Sequence, residues 1–234
     1  MAIQLYDLAG KDPAIMFGPF AWRVRMALLH KGLDFEVRPW RFAERETSSV
    51  KSVPILIDGD VTISDSLQIV RYLDEAYPDR PRLIEGSVGE ANVSLVQALC
   101  GTNVFPACIS IAVLPVLGIL DEPSRDYFRA SREAMFGATL EEVNAPDAET
   151  GRANLAKGLK PFDEALKNVR FLGGNQMSYA DCALFGVLKW ADIAGKYRSI
   201  DEGSHVGQWF TTLESMFNGY AAKAPRFREV GAYA

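Results

Sequence analysis

The hydrophobic period of this chain changes once, near residue 80, and the change divides it into two parts. Before that point, short apolar runs alternate at a period of two and are bounded by turn residues. Residues 2–6 (Ala-Ile-Gln-Leu-Tyr) and 34–39 read as strands. Between them Pro19 opens a helix that runs to His30-Lys31 and is stopped by Gly32. A polar stretch, Ala43 to Lys51, leads into the strand Val53-Pro54-Ile55-Leu56-Ile57, an Asp58-Gly59 turn and a second short strand. Ser64-Asp65-Ser66 then opens an amphipathic helix. The resulting order is β-α-β-α-β-β-α, and its opening strand-helix-strand fits the right-handed crossover rule. Tyr77-Pro78-Asp79-Arg80-Pro81-Arg82 has the punctuation of a linker. Beyond it the period is helical, predicting helices over 88–119, 123–143, 150–168, 179–197 and 205–221, the first broken near Pro106 or Pro115. The expected organisation is an α/β domain over 1–78, a linker over 79–86 and an all-α domain over 87–234.

Composition narrows the classes of function. With 234 residues, 48% hydrophobic and 24% charged, the chain has room for two modest domains or one large one. A net charge of −5 gives no basic face for nucleic acid. The most apolar run, Ile109 to Leu120, is too short for a membrane span and contains Pro115 and Gly118. No basic, then apolar, leader opens the chain. Cys100, Cys108 and Cys182 form no CxxC and no metal-ligand spacing with the two histidines, so reduced thiols in a cytoplasm and no metal site are expected.

The chemistry concentrates around Val53-Pro54 and Asp65-Ser66. A residue before proline is biased towards extended backbone, leaving its N–H and C=O free at a strand edge to pair with an extended peptide. Asp65 and Ser66 sit at a helix start, where free N–H groups favour an anionic ligand group. An extended peptide carrying both an amine and a carboxylate satisfies both places, and glutathione is such a peptide.

In that order and spacing, the pattern resembles the thioredoxin-like N-terminal domain of the glutathione transferases. The resemblance implies a cis Val53-Pro54 bond, backbone pairing of Val53 with the cysteinyl part of glutathione, and Asp65 and Ser66 holding the γ-glutamyl amine and carboxylate. It also implies glutathione as co-substrate and a homodimer. Within the family, Leu5-Tyr6-Asp7-Leu8 and the run Pro19-Phe20-Ala21-Trp22-Arg23-Val24-Arg25 to Leu33 look like the lignin β-aryl-etherase branch. Arg125-Asp126-Tyr127, Ser131-Arg132-Glu133, Leu172-Gly173-Gly174 and Tyr179-Ala180-Asp181 extend that likeness into the second domain.

One position departs from the branch, which carries serine before the helix-opening proline; this chain has Gly18. A thiol of pKa ~8.5 is only slightly ionised at neutral pH, so another group must favour the thiolate. The free amides of Phe20 and Ala21 at the first helix start are the leading candidates, and Gly18 itself admits a close backbone approach. If the missing hydroxyl is the deficit, Gly18→Ser should promote thiolate formation. Tyr6 reads as a packed residue, and Ser48, Ser49 and Ser52 are alternative hydroxyl donors. Arg41, Arg45 and Lys51 are candidates for the glycine carboxylate, while Arg23 and Arg25 face either the pocket or an interface. His30 is explained by the dipole at its helix end. Ser178 and Asp181 form a capping box and are assigned to folding. The second substrate is placed between the domains, against Phe17, Phe20, Phe105, Ile109 and Val113 or Leu114.

Three functions compete. The first is a transferase directing thiolate at a hydrophobic electrophile, with β-aryl ether cleavage as a narrower form. The second is a non-catalytic glutathione or hydrophobic-ligand binder on the same fold. A thiol oxidoreductase ranks last, because Gly18 to Trp22 contains no cysteine.

Overall fold

The computed structural model describes residues 2–45, 47 and 50–230. Its first layer is a four-stranded sheet of order β2-β1-β3-β4. Strand β1 (Ile3–Leu8) runs parallel to β2 (Phe35–Trp40) and antiparallel to β3 (Ile55–Asp58), which pairs with β4 (Val61–Ser64) through the Asp58-Gly59 turn. Helix α1 (Pro19–Lys31) makes the crossover between the parallel pair and ends where Gly32 turns left-handed, at φ 64°. Helix α2 (Ser66–Ala76) follows β4. Between β2 and β3 the expected helix is a single 3₁₀ turn, Phe42–Arg45. Phe42 is its one buried residue, too little apolar surface to hold a longer helix down.

The second part is helical: α3 (Gly86–Leu99), α4 (Phe105–Ala112), α5 (Glu122–Phe136), α6 (Leu140–Val143), α7 (Ala148–Leu166), α8 (Tyr179–Ala194), α9 (His205–Gly219) and α10 (Phe227–Val230). A π-helical turn, Cys100–Val104, joins α3 to α4 just ahead of Pro106. Widening the ladder there lets the helix continue past a residue with no N–H to give. Gly86–Ala112 is thus one continuous helical run, long and apolar enough to cross a membrane by length and composition, which corrects the sequence reading. Reading Ile109–Leu120 alone missed it, because the run lies further back and is diluted by glycine, serine and asparagine. In the fold its inner face, from Val93 and Val96 to Cys108 and Ile111, belongs to the core. The helix expected over 123–143 is two helices, divided at Gly137, and α10 was not anticipated.

Helix α8 is buried along its whole length and is the spine of the molecule. It packs along α1, and at their crossing a β-carbon on Gly186 would collide with the carbonyl of Pro19 and the stem of Arg23. Glycine at 186 therefore brings the two parts of the chain together where α1 begins. The capping box at the start of α8 is present, and its carboxylate does more than cap. Asp181 is fully buried and accepts from the N–H groups of Leu172 (2.7 Å), Gly173 (3.1 Å) and Ser178 (2.9 Å) and from Trp209 Nε1 (2.9 Å). Burial holds its pKa above the ordinary value despite these donors.

Cys100, Cys108 and Cys182 are buried, and burial pushes the Cys100 thiol up to about 12 and the other two upward as well. At the C-terminal end of α1, burial and the adjacent Lys31 charge lower the His30 pKa, which works against the charged form that the helix dipole favours.

Candidate active site

Helix α1 begins on top of a buried ion pair. Asp7, at the end of β1, has no exposed surface, and its Oδ2 lies 2.5 Å from Arg25 Nη2 on the second turn of α1. Its Oδ1 accepts the Gly18 N–H at 3.1 Å. Burial raises the Asp7 pKa, opposed by Arg25 and by the Gly18 amide. The guanidinium of Arg25 stacks 4.7 Å from the Trp22 ring and reaches Tyr220 Oη at 3.4 Å. A β-carbon at position 18 would collide with Asp7 Oδ1, so glycine is the residue this cap permits. The Gly18 amide is thereby given to Asp7. The first intrahelical bond is Trp22 N–H to Gly18 O, at 3.0 Å. The amides of Phe20 and Ala21 lie ahead of that ladder and remain available to a ligand. Pro19 contributes no N–H.

The Val53-Pro54 bond is cis. Among the described residues no hydrogen bond takes up the Val53 N–H or C=O. At the start of α2, Asp65 Oδ1 caps the Leu67 (3.0 Å) and Gln68 (3.1 Å) amides while its backbone sits at φ 73°. Such a conformation costs a non-glycine residue about 1–3 kcal/mol, and it turns Ser66 into the interior. There Ser66 Oγ accepts from Tyr179 Oη at 3.0 Å, a bond that crosses from α2 to the first residue of α8. Among the described residues its own hydroxyl proton has no acceptor. Burial raises the Tyr179 pKa, while the nearby Arg23 charge acts the other way. Arg23 is buried, with Nε lacking a partner and its guanidinium 4.8 Å from the Phe20 ring. Sequence reading put Arg23 at either the pocket or an interface and treated position 179 as part of a folding motif. The only available signal was a positive charge at a helix position otherwise facing apolar neighbours.

Between the two parts of the chain lies a cleft of about 320 Å³. Leu8, Phe17, Gly18, Pro19, Phe20, Trp40, Phe42, Arg45, Ser52 and Val53 line one side. Phe105, Ile109, Val113, Tyr127, Phe128, Arg132, Met135, Phe136 and Trp190 line the other. Phe20, Phe105 and Trp190 form an aromatic chain, with centroids 6.0 and 5.5 Å apart. Phe42 forms a second cluster with Tyr127 and Phe128, each at 5.6 Å. The five wall residues expected from the sequence are therefore brought together here, without Leu114 and without Tyr6.

The cationic candidates separate. Arg45 lines the cleft and donates to the Lys51 carbonyl at 2.9 Å, and Lys51 Nζ returns a bond to the Arg45 carbonyl. Arg41 is corrected: its guanidinium holds the carbonyls of Gly10 and Lys11 (both 3.2 Å) and lies 3.7 Å from Asp121, tying loops together away from the cleft. Ser48 and Ser49 lie outside the described residues.

Comparison with known proteins follows the same division. Residues 14–81 match the glutathione S-transferase N-terminal domain and residues 91–216 the glutathione S-transferase C-terminal domain. A glutathione S-transferase-like protein, ustS, of Aspergillus flavus is 33% identical over 158 residues, covering 62% of this chain and 54% of that protein. Three plant glutathione S-transferases are matched over 32% of their length. The chain thus spans about half, or less, of these curated relatives. Among solved structures, glutathione transferase GSTFuA3 from Phanerochaete chrysosporium is 26% identical, with a TM-score of 0.74 over 98% of this chain and 96% of that one. A glutathione S-transferase of Ceriporiopsis subvermispora in complex with glutathione is 24% identical, with a TM-score of 0.73 over 96% and 95%. With the C-terminal domain family matching more than half of its residues and the N-terminal domain family matching ahead of it, the chain belongs to the glutathione S-transferases.

Proposed function

We propose that this protein is a glutathione transferase that binds glutathione across Val53 and the start of α2 and directs its sulfur, as thiolate, at a hydrophobic electrophile in the cleft. The observation that carries this reading is the start of α1. Gly18, Pro19 and Phe20 form part of the cleft wall, and the amides of Phe20 and Ala21 precede the helical ladder. Two such donors and the positive end of the helix favour negative charge on sulfur. Pairing with Arg25 offsets the Asp7 charge beneath them.

The rest of the tripeptide has places of matching chemistry. The Val53 backbone suits the cysteinyl amide, and Asp65 suits the γ-glutamyl amine. The Ser66 hydroxyl, backed by Tyr179 and the buried Arg23 charge, suits the γ-glutamyl carboxylate. Arg45, Lys51 and Ser52 are the candidates for the glycine end, in place of Arg41. Catalysis then rests on thiolate stabilisation and on proximity to the bound electrophile. The narrower reading, displacement of a phenoxide from a β-aryl ether, is supported by the branch-like sequence strings and by the aromatic cleft walls. Homodimer assembly belongs to the same reading, supported by Val88 and Leu95, which are 81% and 59% exposed on α3.

A non-catalytic binder on this fold is the second reading, favoured by the loss of the Gly18 amide to Asp7 and the absence of a hydroxyl at that position. Ultraviolet absorbance of the glutathione thiolate, titrated with the protein across pH, separates the two. A bound thiol pKa well below the free value upholds the transferase. Binding with an unshifted pKa supports the carrier, and no binding overturns the roles of Val53, Asp65 and Ser66.

A further inference from the structure

The cleft holds a cation that the glutathione sites leave unused. Arg132, on α5, lies between two aromatic faces, with its guanidinium 5.1 Å from the Phe128 ring and 5.5 Å from the Phe42 ring. Among the described residues its one hydrogen-bond partner is the hydroxyl of the adjacent Ser131, at 3.1 Å. Arg129, one turn earlier on the same helix, is held by Glu133 (2.8 Å) and Glu141 (2.9 Å). Glu133 of α5 and Glu141 of α6 thus serve the arginine outside the cleft, and among the described residues no carboxylate serves the one inside it. Arg45 approaches from the other domain, its guanidinium 5.7 Å from the Tyr127 ring. Among the described residues neither Arg45 nor Arg132 has a carboxylate within ion-pair reach.

A partly desolvated guanidinium with a like charge nearby is unfavourable, and an anion beside it relieves the cost. Burial first, and then the Arg45 charge, hold the Arg132 pKa below its ordinary value, which registers the same lack of a counter-charge. Arginine also matches a carboxylate bidentately while its faces stay stacked on rings. Resting on the transferase reading above, we propose that the second substrate is an aromatic acid, whose carboxylate pairs with Arg132 and whose apolar, reacting part lies along Phe20, Phe105 and Trp190. A plain hydrophobic electrophile leaves Arg132 without a counter-charge in the cleft.

A matched pair of aryl chlorides tests this: chlorodinitrobenzene and its carboxylate-bearing counterpart, chlorodinitrobenzoate. With each, the glutathione thiolate forms a carbon–sulfur bond at the chlorine-bearing carbon. The carbon–chlorine bond breaks, chloride leaves with the bonding pair, and the thiol proton passes to solvent. Each kcat/KM is divided by the uncatalysed rate with free glutathione. The wild-type protein should favour the benzoate by about tenfold or more, the equivalent of ~1.4 kcal/mol of discrimination. Arg132→Met, which keeps the packing between Phe42 and Phe128, should abolish the preference, read as the ratio of the two normalised kcat/KM values. Arg132→Lys should retain part of it, and serves in place of the methionine variant if that one does not fold. Equal use of both acceptors by the wild-type protein, or a preference unchanged by either variant, overturns the proposal.

Glutathione monoethyl ester, blocked at the glycine carboxylate, identifies the source of the anion. If Arg132→Met raises KM for glutathione but not for the ester, the guanidinium serves glutathione and the proposal falls. Should neither chloride turn over, the transferase reading fails separately. The acid preference is then read by calorimetric titration of the glutathione-loaded protein with dinitrobenzoate and dinitrobenzene. Tighter binding of the acid that is lost in the Arg132 variant upholds it, and equal affinities overturn it.

Discussion

The carboxylate of Asp7 fills the space that a side chain at position 18 would occupy. One group caps α1 from the end of β1 and thereby fixes the residue at the helix start as glycine. Gly18→Ser is therefore expected to act as an overpacking change, costing about 1–3 kcal/mol, and not to supply the absent hydroxyl. Urea unfolding should show the loss, and the bound thiol pKa should not fall below the wild-type value. In an Asp7→Ala background the added group has room, so its cost should shrink. Additive costs would show that the two positions do not compete for space.

Tyr179 links the candidate γ-glutamyl site to the spine of the helical domain through its bond to Ser66. Tyr179→Phe keeps the ring and its packing but removes a buried hydrogen bond worth about 0.5–1.5 kcal/mol. If the bond orients Ser66 for a carboxylate, KM for glutathione should rise roughly two- to tenfold while kcat with saturating glutathione changes little. A stability loss of that size with an unchanged KM would make the bond a simple interdomain tie.

What the sequence disclosed and what it hid follow from the range of the interactions. The order of elements, the start and stop of α1 and the capping box of α8 depend on residues a few positions apart, and Pro19, Gly32 and Ser178 signalled them directly. Phe20, Phe105 and Ile109 were legible as apolar wall candidates because a domain boundary near residue 80 implies a cleft. Asp7 was not legible as a cap, since its partner lies eleven residues away across a crossover connection. Tyr179 and Ser66 are 113 residues apart, and no local period reports such a pairing. Arg41 and Arg45 look alike in sequence, and only the path of the 3₁₀ turn sends one to the loop carbonyls and the other to the cleft.

Asp181 is the acceptor on which the turn before α8 depends. Replacing it with alanine strands three backbone amides and the Trp209 indole N–H in the interior. Each unpaired buried donor costs about 1–3 kcal/mol, and water entering the space recovers part of the sum. Asp181→Ala is expected to lose more than about 3 kcal/mol, seen as a drop in the urea midpoint. Because the box acts in folding, refolded protein at low temperature should keep the wild-type KM values. An altered KM in fully folded protein would give Asp181 a part in the site.

Asp192 predicts an acid-sensitive end to the helical domain. Burial alone would raise its pKa, but Lys189 (3.1 Å), Arg226 (2.8 Å) and Arg228 (2.8 Å) outweigh burial and bring it down to about 2. The unfolded chain has an ordinary aspartate, near ~3.9. The folded state therefore holds the proton less tightly than the unfolded state. The stability this group contributes is fully present above about pH 4 and is lost as pH falls towards about 2, a difference of roughly 2–3 kcal/mol. Glu214 shares the cations Lys189 and Arg226 but is common to both proteins compared, so Asp192→Asn isolates the aspartate. Urea unfolding at a series of pH values should find the variant less stable than wild type near neutrality, with the gap closing as pH drops through this window. The segment around α10 should loosen first, because Arg226 and Arg228 fasten it to α8 through this carboxylate, and hydrogen exchange there should rise in the variant. A gap that stays constant with pH would mean the cations hold the segment through Glu214 and backbone carbonyls without the Asp192 charge.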